Sequence, residues 1–290
     1  MLVDQRIADL IALLDLEMLE VNLFRGESRD IGSPQVFGGQ VLGQALNAAS
    51  RTVTGRMVHS LHAYFLRRGD FSAPIIYQVD RSRDGHSFSN RRVIAIQHGE
   101  QIFNMTCSFQ TEEAGLEHQV SMPEVPPPES LADTSRVAPE LLERLPERLR
   151  RVLAIPRPFE FRAVGPVAAR PAPGFAPSRQ VWFRAVAAVP DDQTLQRCLF
   201  AYVSDFHLLE TATLPHGIST LSGKAQVASI DHALWFHRPL RVDEWLLHAV
   251  ESPSASGARG FARANVFARD GTLVASTAQE GLVRLTDPRN

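Results

Sequence analysis

The sequence is nearly without lysine: Lys224 is the only one, so almost every cation is an arginine. This reads as a bias of the genome rather than chemistry. With a formal charge of −2 and no basic block, nucleic acid is excluded as an expected partner. A phosphorylated small molecule is not, since a few placed arginines suffice for it. Cysteine is scarce too. Cys107 and Cys198 lie far apart, so neither a disulfide framework nor metal-ligand spacing follows, and a reducing compartment is the default. The chain has no run of about 18 apolar residues, so no bilayer-spanning helix is expected. The first residues are apolar but carry Asp4, Asp9, Asp15, Glu17 and Glu20, which does not suit a secretory leader. These features lead us to expect a cytoplasmic protein. The phosphate-binding loop G-x-x-x-x-G-K-[ST], the dinucleotide fingerprint G-x-G-x-x-G and the H-E-x-x-H zinc motif are all missing. His59, His62, His232 and His237 pair into no metal-ligand pattern, so no metal and no cofactor are expected.

What is present is enough apolar material, 44% of 290 residues, for one large core or two modest ones. Ile7, Leu10, Ile11, Leu14 and Leu19 recur at helical spacing, predicting an amphipathic helix over 4–23. The stretch 36–53 opens with two glycines and continues in good helix formers, predicting a second helix. Four strands are then expected at 58–66, 75–83, 87–97 and 101–111, separated by turn signals such as Asp84-Gly85 and His98-Gly99. Pro126-Pro127-Pro128 cannot join a sheet ladder, and a charged stretch at 138–153 suits a short exposed helix. From 159 the pattern resumes. Strands are expected at 159–164 and 180–186, a buried helix at 191–212, and strands at 225–237, 244–252, 258–268 and 273–285. The class is α+β, with an N-terminal domain over 1–120, a proline-rich linker over 121–157 and a C-terminal domain over 158–290.

The two halves match in order. His62-Ala63-Tyr64-Phe65-Leu66-Arg67 parallels 232–238, and His98-Gly99-Glu100-Gln101-Ile102 parallels Arg269-Asp270-Gly271-Thr272-Leu273. A duplicated helix-plus-sheet unit is the economical reading.

Six stretches carry a further resemblance: VFGGQVLGQAL (36–46), VHSLHAYFLRRGD (58–70), RDGHSFSNRRV (83–93), ASIDHALWFHRP (228–239), EWLLHAVESPSASGARGF (244–261) and VASTAQEG (274–281). In order and across nearly the whole chain, they resemble the acyl-CoA thioesterase II family of bacteria and peroxisomes. The resemblance implies a tandem, or double, hotdog fold, in which each half wraps a curved antiparallel sheet around a central helix. It implies hydrolysis of medium- to long-chain fatty acyl-CoA. It also implies three catalytic residues: Asp205 in Ser204-Asp205-Phe206, Ser229 before Ile230-Asp231-His232, and Gln279 before Glu280-Gly281. The bacterial enzymes usually carry threonine where this chain has Ser229; either side chain supplies a hydroxyl.

These residue types suit thioester hydrolysis. A carboxylate in an apolar run is costly to bury, and desolvation makes it a better base. A hydroxyl and a carboxamide can orient one water, lowering the entropic cost of attack. Ser229 lacks a G-x-S-x-G elbow, which argues against a covalent nucleophile. Asp231 and His232 invite a Ser/His/Asp triad, but strand alternation sets His232 on the opposite face from Ser229.

Substrate contacts are expected from Gly38, Gly39 and Gln40, whose N–H groups open a helix and could face an oxyanion. Close packing on the sheet is an equal reading of the two glycines. His59 is a candidate substrate-side residue, and Arg259 a candidate for the CoA phosphates alongside Arg91, Arg92 and Arg263. Ordinary solvated charges are the alternative for these arginines. Two other functions fit the same fold: a non-catalytic acyl-CoA sensor, and a hotdog enoyl-CoA hydratase. The hydratase pattern needs a histidine five residues after its aspartate, where this chain has Glu210. Free sheet edges would favour a dimer or tetramer.

Overall fold

Alternating burial along the strands drives the architecture. In β3 (Met57–Phe65), Leu61 and Ala63 point inward while His62 and Tyr64 face solvent. The same period runs through β4 (Ile75–Asp84), β5 (Phe88–Gln97) and β6 (Glu100–Gln110), and through β11 (Leu246–Ser256), β12 (Arg259–Ala268) and β13 (Leu273–Leu285). The computed structural model describes residues 4–32, 35–135, 155–165, 176–219 and 223–286, with positions 143, 147 and 150. The helix expected over 138–153 lies outside the described residues.

The described strands form one 13-stranded sheet. The remaining members are β1 (Glu17–Glu20), β2 (Leu23–Gly26), β7 (Phe159–Ala163), β8 (Ser178–Ala185), β9 (Ala225–Ser229) and β10 (Asp231–Phe236). Their order is β1-β2-β4-β5-β6-β3-β10-β13-β12-β11-β8-β7, with β9 added beside β13. Every pairing is antiparallel. The order reads alike from both ends, because β3 pairs with β10 at the centre (Leu61 opposite Leu234) and each flank repeats the other. This is the double hotdog with its halves edge to edge.

Each half holds one long helix against its inner face: α2 (Gly38–Ser50) and α3 (Gln193–Ser204). Both are buried on nearly every side. α2 and α3 pack on each other at very short range. A Cβ on Gly39 would lie 2.2 Å from the Tyr202 carbonyl oxygen, and one on Gly43 would lie 3.0 Å from that of Cys198. Only hydrogen on those Cα atoms allows this approach. α1 (Gln5–Leu14) seals the open side, with Asp4 capping Arg6 N–H and Ile7, Leu10, Leu13 and Leu14 buried.

Three expected elements prove shorter or broken. The first helix ends at Leu14 rather than 23, because Asp15 is extended (ψ 137°) and Asn22 turns left-handed (φ 62°) to make the β1–β2 hairpin. The helix expected over 191–212 is two helices, α3 and α4 (Leu208–Thr213). The strand expected over 225–237 breaks at Ile230 into β9 and β10.

Gly39→Ala is expected to lower unfolding free energy by about 1–3 kcal/mol, the scale of overpacking a tight core. This would outweigh the roughly 1 kcal/mol that alanine gains in helix propensity. Urea unfolding of the variant beside the parent measures it.

Candidate active site

The two breaks place the polar groups. Asp205 is the C-cap residue of α3, with φ −78° and ψ −6°. The chain then turns through Phe206 and His207, whose φ of 71° is left-handed and unfavourable for a side chain with a Cβ. The Phe206 ring packs on Phe37 at 4.7 Å and on Phe161 at 5.5 Å, which anchors the turn. α4 then crosses β11, β12 and β13. At the second break, Ser229 closes β9 opposite Gly281, and Ile230 bridges two neighbours. Its N–H donates to Glu280 O, and its carbonyl accepts from Phe65 N–H, both at 2.9 Å.

Gln279 projects inward from β13, opposite Ala262, and is buried. Its Nε2 donates to Asp205 Oδ1 at 2.7 Å and to Ser229 Oγ at 3.1 Å. The reverse amide orientation would aim Oε1 at a carboxylate, so electrostatics fixes this one. Gln279 Oε1 is buried and has no hydrogen-bond partner among the described residues. The three side chains from α3, β9 and β13 therefore converge, with one acceptor left open.

Burial pushes the Asp205 carboxyl up from 3.8 to about 6, against the opposing pull of the Gln279 amide and the Gly39 N–H. Its side chain is only 6% exposed, and among the described residues no Arg or Lys forms an ion pair with it. Asp205 Oδ2 rests against Gly38, where an added Cβ would come within 2.7 Å. A groove of about 390 Å³ opens onto Gly38 and Ser229. Its apolar walls include Val41, Phe65, Phe103 and Leu282, and Arg67 and Arg68 also line it.

The expected substrate contacts fare unevenly. Of the three N–H groups opening α2, that of Gly39 is engaged by Asp205 and that of Gln40 donates to Phe37 O at 3.0 Å. The Gln40 side chain is structural, accepting from Arg29 N–H and donating to Glu27 O. Gly39 also makes the close contact with α3, so its N–H is spent on Asp205 and its missing side chain on packing against a helix rather than the sheet. His59 does not reach the groove. It bonds Ser108 Oγ at 2.9 Å and lies six residues, about 20 Å of strand, from Phe65. Arg259 sits beside the Gly257–Ala258 turn, paired with Glu280 at 2.9 Å, and lines no part of the groove. Arg91 is not a partly exposed cation at all. It is buried and bonded to Thr52, Asp84 and the Arg83 carbonyl. Arg263 pairs with Glu251.

Sequence reasoning gave Arg67 and Arg68 no substrate role, reading Arg67 in the internal repeat and both in the resemblance stretch 58–70. It also weighed His232 only for a metal or a triad and set it on the face away from Ser229, whereas the ring is fully buried beside Asp205. Asp231 accepts from Glu280 N–H at 2.6 Å, so no Ser/His/Asp triad forms. Among the described residues no group of three His, Cys, Asp or Glu could hold a metal ion.

Family comparison accords with this geometry. A family model described as acyl-CoA thioesterase matches residues 158–282, and one described as acyl-CoA thioesterase N-terminal domain matches 25–110. Acyl-CoA thioesterase 2 of Haemophilus influenzae is 46% identical over 283 residues, covering 96% of this chain and 98% of the relative. The chain belongs to the acyl-CoA thioesterase family. Acyl-coenzyme A thioesterase 8 of Homo sapiens is 41% identical, covering 94% of this chain and 88% of its own length. A solved acyl-CoA thioesterase II from Mycobacterium marinum superposes with a TM-score of 0.78 at 43% identity, covering 96% of this chain and 99% of its own. A hot dog fold protein from Alicyclobacillus acidocaldarius, at 17% identity and a TM-score of 0.77, shares the fold.

Asp205 also carries a stability signature. Its folded value of about 6 exceeds the ordinary 3.8. Its contribution is therefore fully present below about pH 4 and is lost as pH rises through 6. Asp205→Asn removes that loss. The variant is expected to be more stable than the parent by about 2 kcal/mol at pH 8, with the gap closing toward pH 4. Thermal unfolding across pH measures it.

Proposed function

We propose that the protein hydrolyses medium- to long-chain fatty acyl-CoA by attack of a water held among Asp205, Ser229 and Gln279. The observation that carries this reading is the Gln279 carboxamide, which ties the Asp205 carboxylate to the Ser229 hydroxyl and keeps Oε1 open. The water donates one proton to Asp205 while its oxygen bonds the thioester carbon, and the carbonyl π pair moves to oxygen. Gly38 N–H, beside the groove, is the donor best placed for that oxyanion. On collapse the C–S bond breaks, and the Asp205 proton goes to the departing sulfur. A carboxyl titrating near 6 can both accept and return a proton near neutral pH.

The acyl chain fits the apolar wall of Val41, Phe65, Phe103 and Leu282. The CoA phosphates fit Arg67 and Arg68, which line the same groove. The sensor reading leaves an uncompensated buried carboxylate without a purpose. The hydratase reading needs a histidine where Glu210 stands, and Glu210 is tied to Arg179 at 2.6 Å. We place the activity in the cytoplasm, with the edge strand β1 as the point for any assembly into a dimer or tetramer, since Thr134 already bonds the Phe161 carbonyl on the outer side of β7. Among the described residues no helix is long and apolar enough to cross a membrane.

A thiol-release assay across short to long acyl-CoAs is the direct test. Release should be greatest for medium to long chains, and its absence at every length would leave the sensor. Asp205→Ala should lower kcat by about two to four orders of magnitude; a loss under about threefold would mean another acid is the base. The log of kcat/KM should fall with acidity below a midpoint near pH 6. Arg68→Glu should raise KM for acyl-CoA by about tenfold and weaken its salt dependence, with kcat little changed.

A further inference from the structure

The mechanism leaves one titratable group beside the base without a task. His232, on β10, is fully buried, and its Nδ1 has no hydrogen-bond partner among the described residues. That atom lies 3.9 Å from Asp205 Oδ1. An orphaned buried nitrogen is costly unless some state of the protein uses it.

The bonds around Ser204 point to one tautomer of the ring. Ser204 Oγ has one proton and donates it to Ala201 O at 2.9 Å, one turn back in α3. With that proton on Ala201 O, Ser204 Oγ is the acceptor in its 3.0 Å contact with His232 Nε2. Nε2 thus bears the hydrogen. Burial pushes the ring's titration down to about 3, so the imidazole is neutral and Nδ1 presents a bare lone pair. Two lone pairs then face each other across 3.9 Å while Asp205 is ionised, an unfavourable arrangement that keeps them beyond hydrogen-bond range. Once Asp205 takes the proton of the attacking water, the same pair becomes O–H and acceptor, and a shift of about 1 Å makes a hydrogen bond.

We propose that His232 is a positioning residue for Asp205: its Nδ1 lone pair, locked toward the carboxyl by Ser204, receives the acid O–H formed during turnover. It touches neither water nor thioester. It favours the protonated carboxyl over the anion, strengthening the base and holding its proton until the sulfur departs. This deepens the reading of Asp205 as base and rests on it.

Other groups could influence the same carboxyl. Tyr202 lies on α3 behind it. His207 follows in the turn and is held by Glu210 and Arg179. His248, on β11, is neutral and lies near both His207 and His232. Asp231, next to His232, is spent on Glu280 N–H, and Arg157 stacks over Phe206. None of these makes an ion pair with Asp205, and His232 is its one partner within 4 Å of opposite titration type among the described residues.

The test combines ring-nitrogen NMR with pH–rate profiles. In the parent protein His232 should show the neutral Nε2–H tautomer from about pH 5 to 8. An Nδ1–H tautomer, or a charged ring in that range, overturns the proposal. His232→Leu removes the lone pair, and Ser204→Ala frees the ring to turn an N–H toward the carboxylate. Both should move the acid limb of kcat/KM downward by about half a pH unit or more and lower kcat by roughly tenfold. If His232→Leu does not fold, Ser204→Ala and the tautomer measurement still decide. A loss of kcat with the limb unmoved would mark His232 as merely structural and sink the inference while leaving Asp205 as base. An active Asp205→Asn would sink the base assignment itself.

Discussion

The site depends on how closely two buried helices can approach. α2 and α3 come from different halves of the chain and cross where Gly39 meets the Tyr202 carbonyl. Three residues beyond Tyr202, α3 ends at Asp205; one residue before Gly39, α2 begins. The crossing therefore presses the positive start of one helix against the carboxylate that ends the other. The Gly39 N–H bond to Asp205 is the direct product. A side chain at the crossing would push the helices apart and move that carboxylate away from Gln279. The surrounding sheet, with its regular antiparallel register, supplies the stiff wall that makes the short distance hold.

Irregularity elsewhere is local and purposeful. α3 stops at Ser204, and a left-handed His207 redirects the chain so that Asp205 faces inward rather than continuing along the helix axis. β9 stops at Ser229, and Ile230 hands its two backbone groups to different partners. Without that kink Ser229 would continue in register with β10 and alternate away from Gln279. Strain at such points is a common companion of reactive sites, since the surrounding packing must impose it. Here Phe206, wedged between Phe37 and Phe161, does so for the helix break.

Much of the fold was legible because burial has period two. The strands at 75–84, 88–97, 100–110, 259–268 and 273–285 follow alternation and turn residues that local chemistry alone can read. The breaks were not legible. Leu195 to Ala212 is rich in apolar and helix-forming residues and holds no Gly or Pro, and the tertiary seat of Phe206 interrupts it. Likewise Ser229 to His232 has strand character on both sides of Ile230. The convergence of Asp205, Ser229 and Gln279 came from family resemblance, since nothing in their spacing brings positions 205, 229 and 279 together. The place of His232 beside Asp205 was missed for a related reason. Strand alternation was counted through Ile230 as if unbroken, and the neighbour that gives the ring meaning, Ser204, lies on another element. Arg259 and Arg91 misled because charge on a strand says nothing of its partner. Glu280 occupies the first, and the second is buried against Thr52 and Asp84.

The mirrored sheet order allows each reactive position to be traced to its counterpart. Asp205 caps α3 as Arg51 caps α2. Ser229 stands opposite Gly281 as Val58 stands opposite Phe109, and Gln279 opposite Ala262 as Cys107 opposite Arg91. The three clustered polar groups are thus replaced by a cation, an aliphatic side chain and a thiol, and the space beside Ala262 is filled, in the other half, by the buried Arg91. Duplication has produced division of labour rather than a doubled workload. One copy lends a helix start and a rigid flank; the other carries the hydrogen-bonded polar cluster. A separated half would hold either reactive side chains with no helix to face, or a helix start with nothing reactive to serve. Among the described residues this polar cluster therefore occurs once, where two identical halves would have carried two.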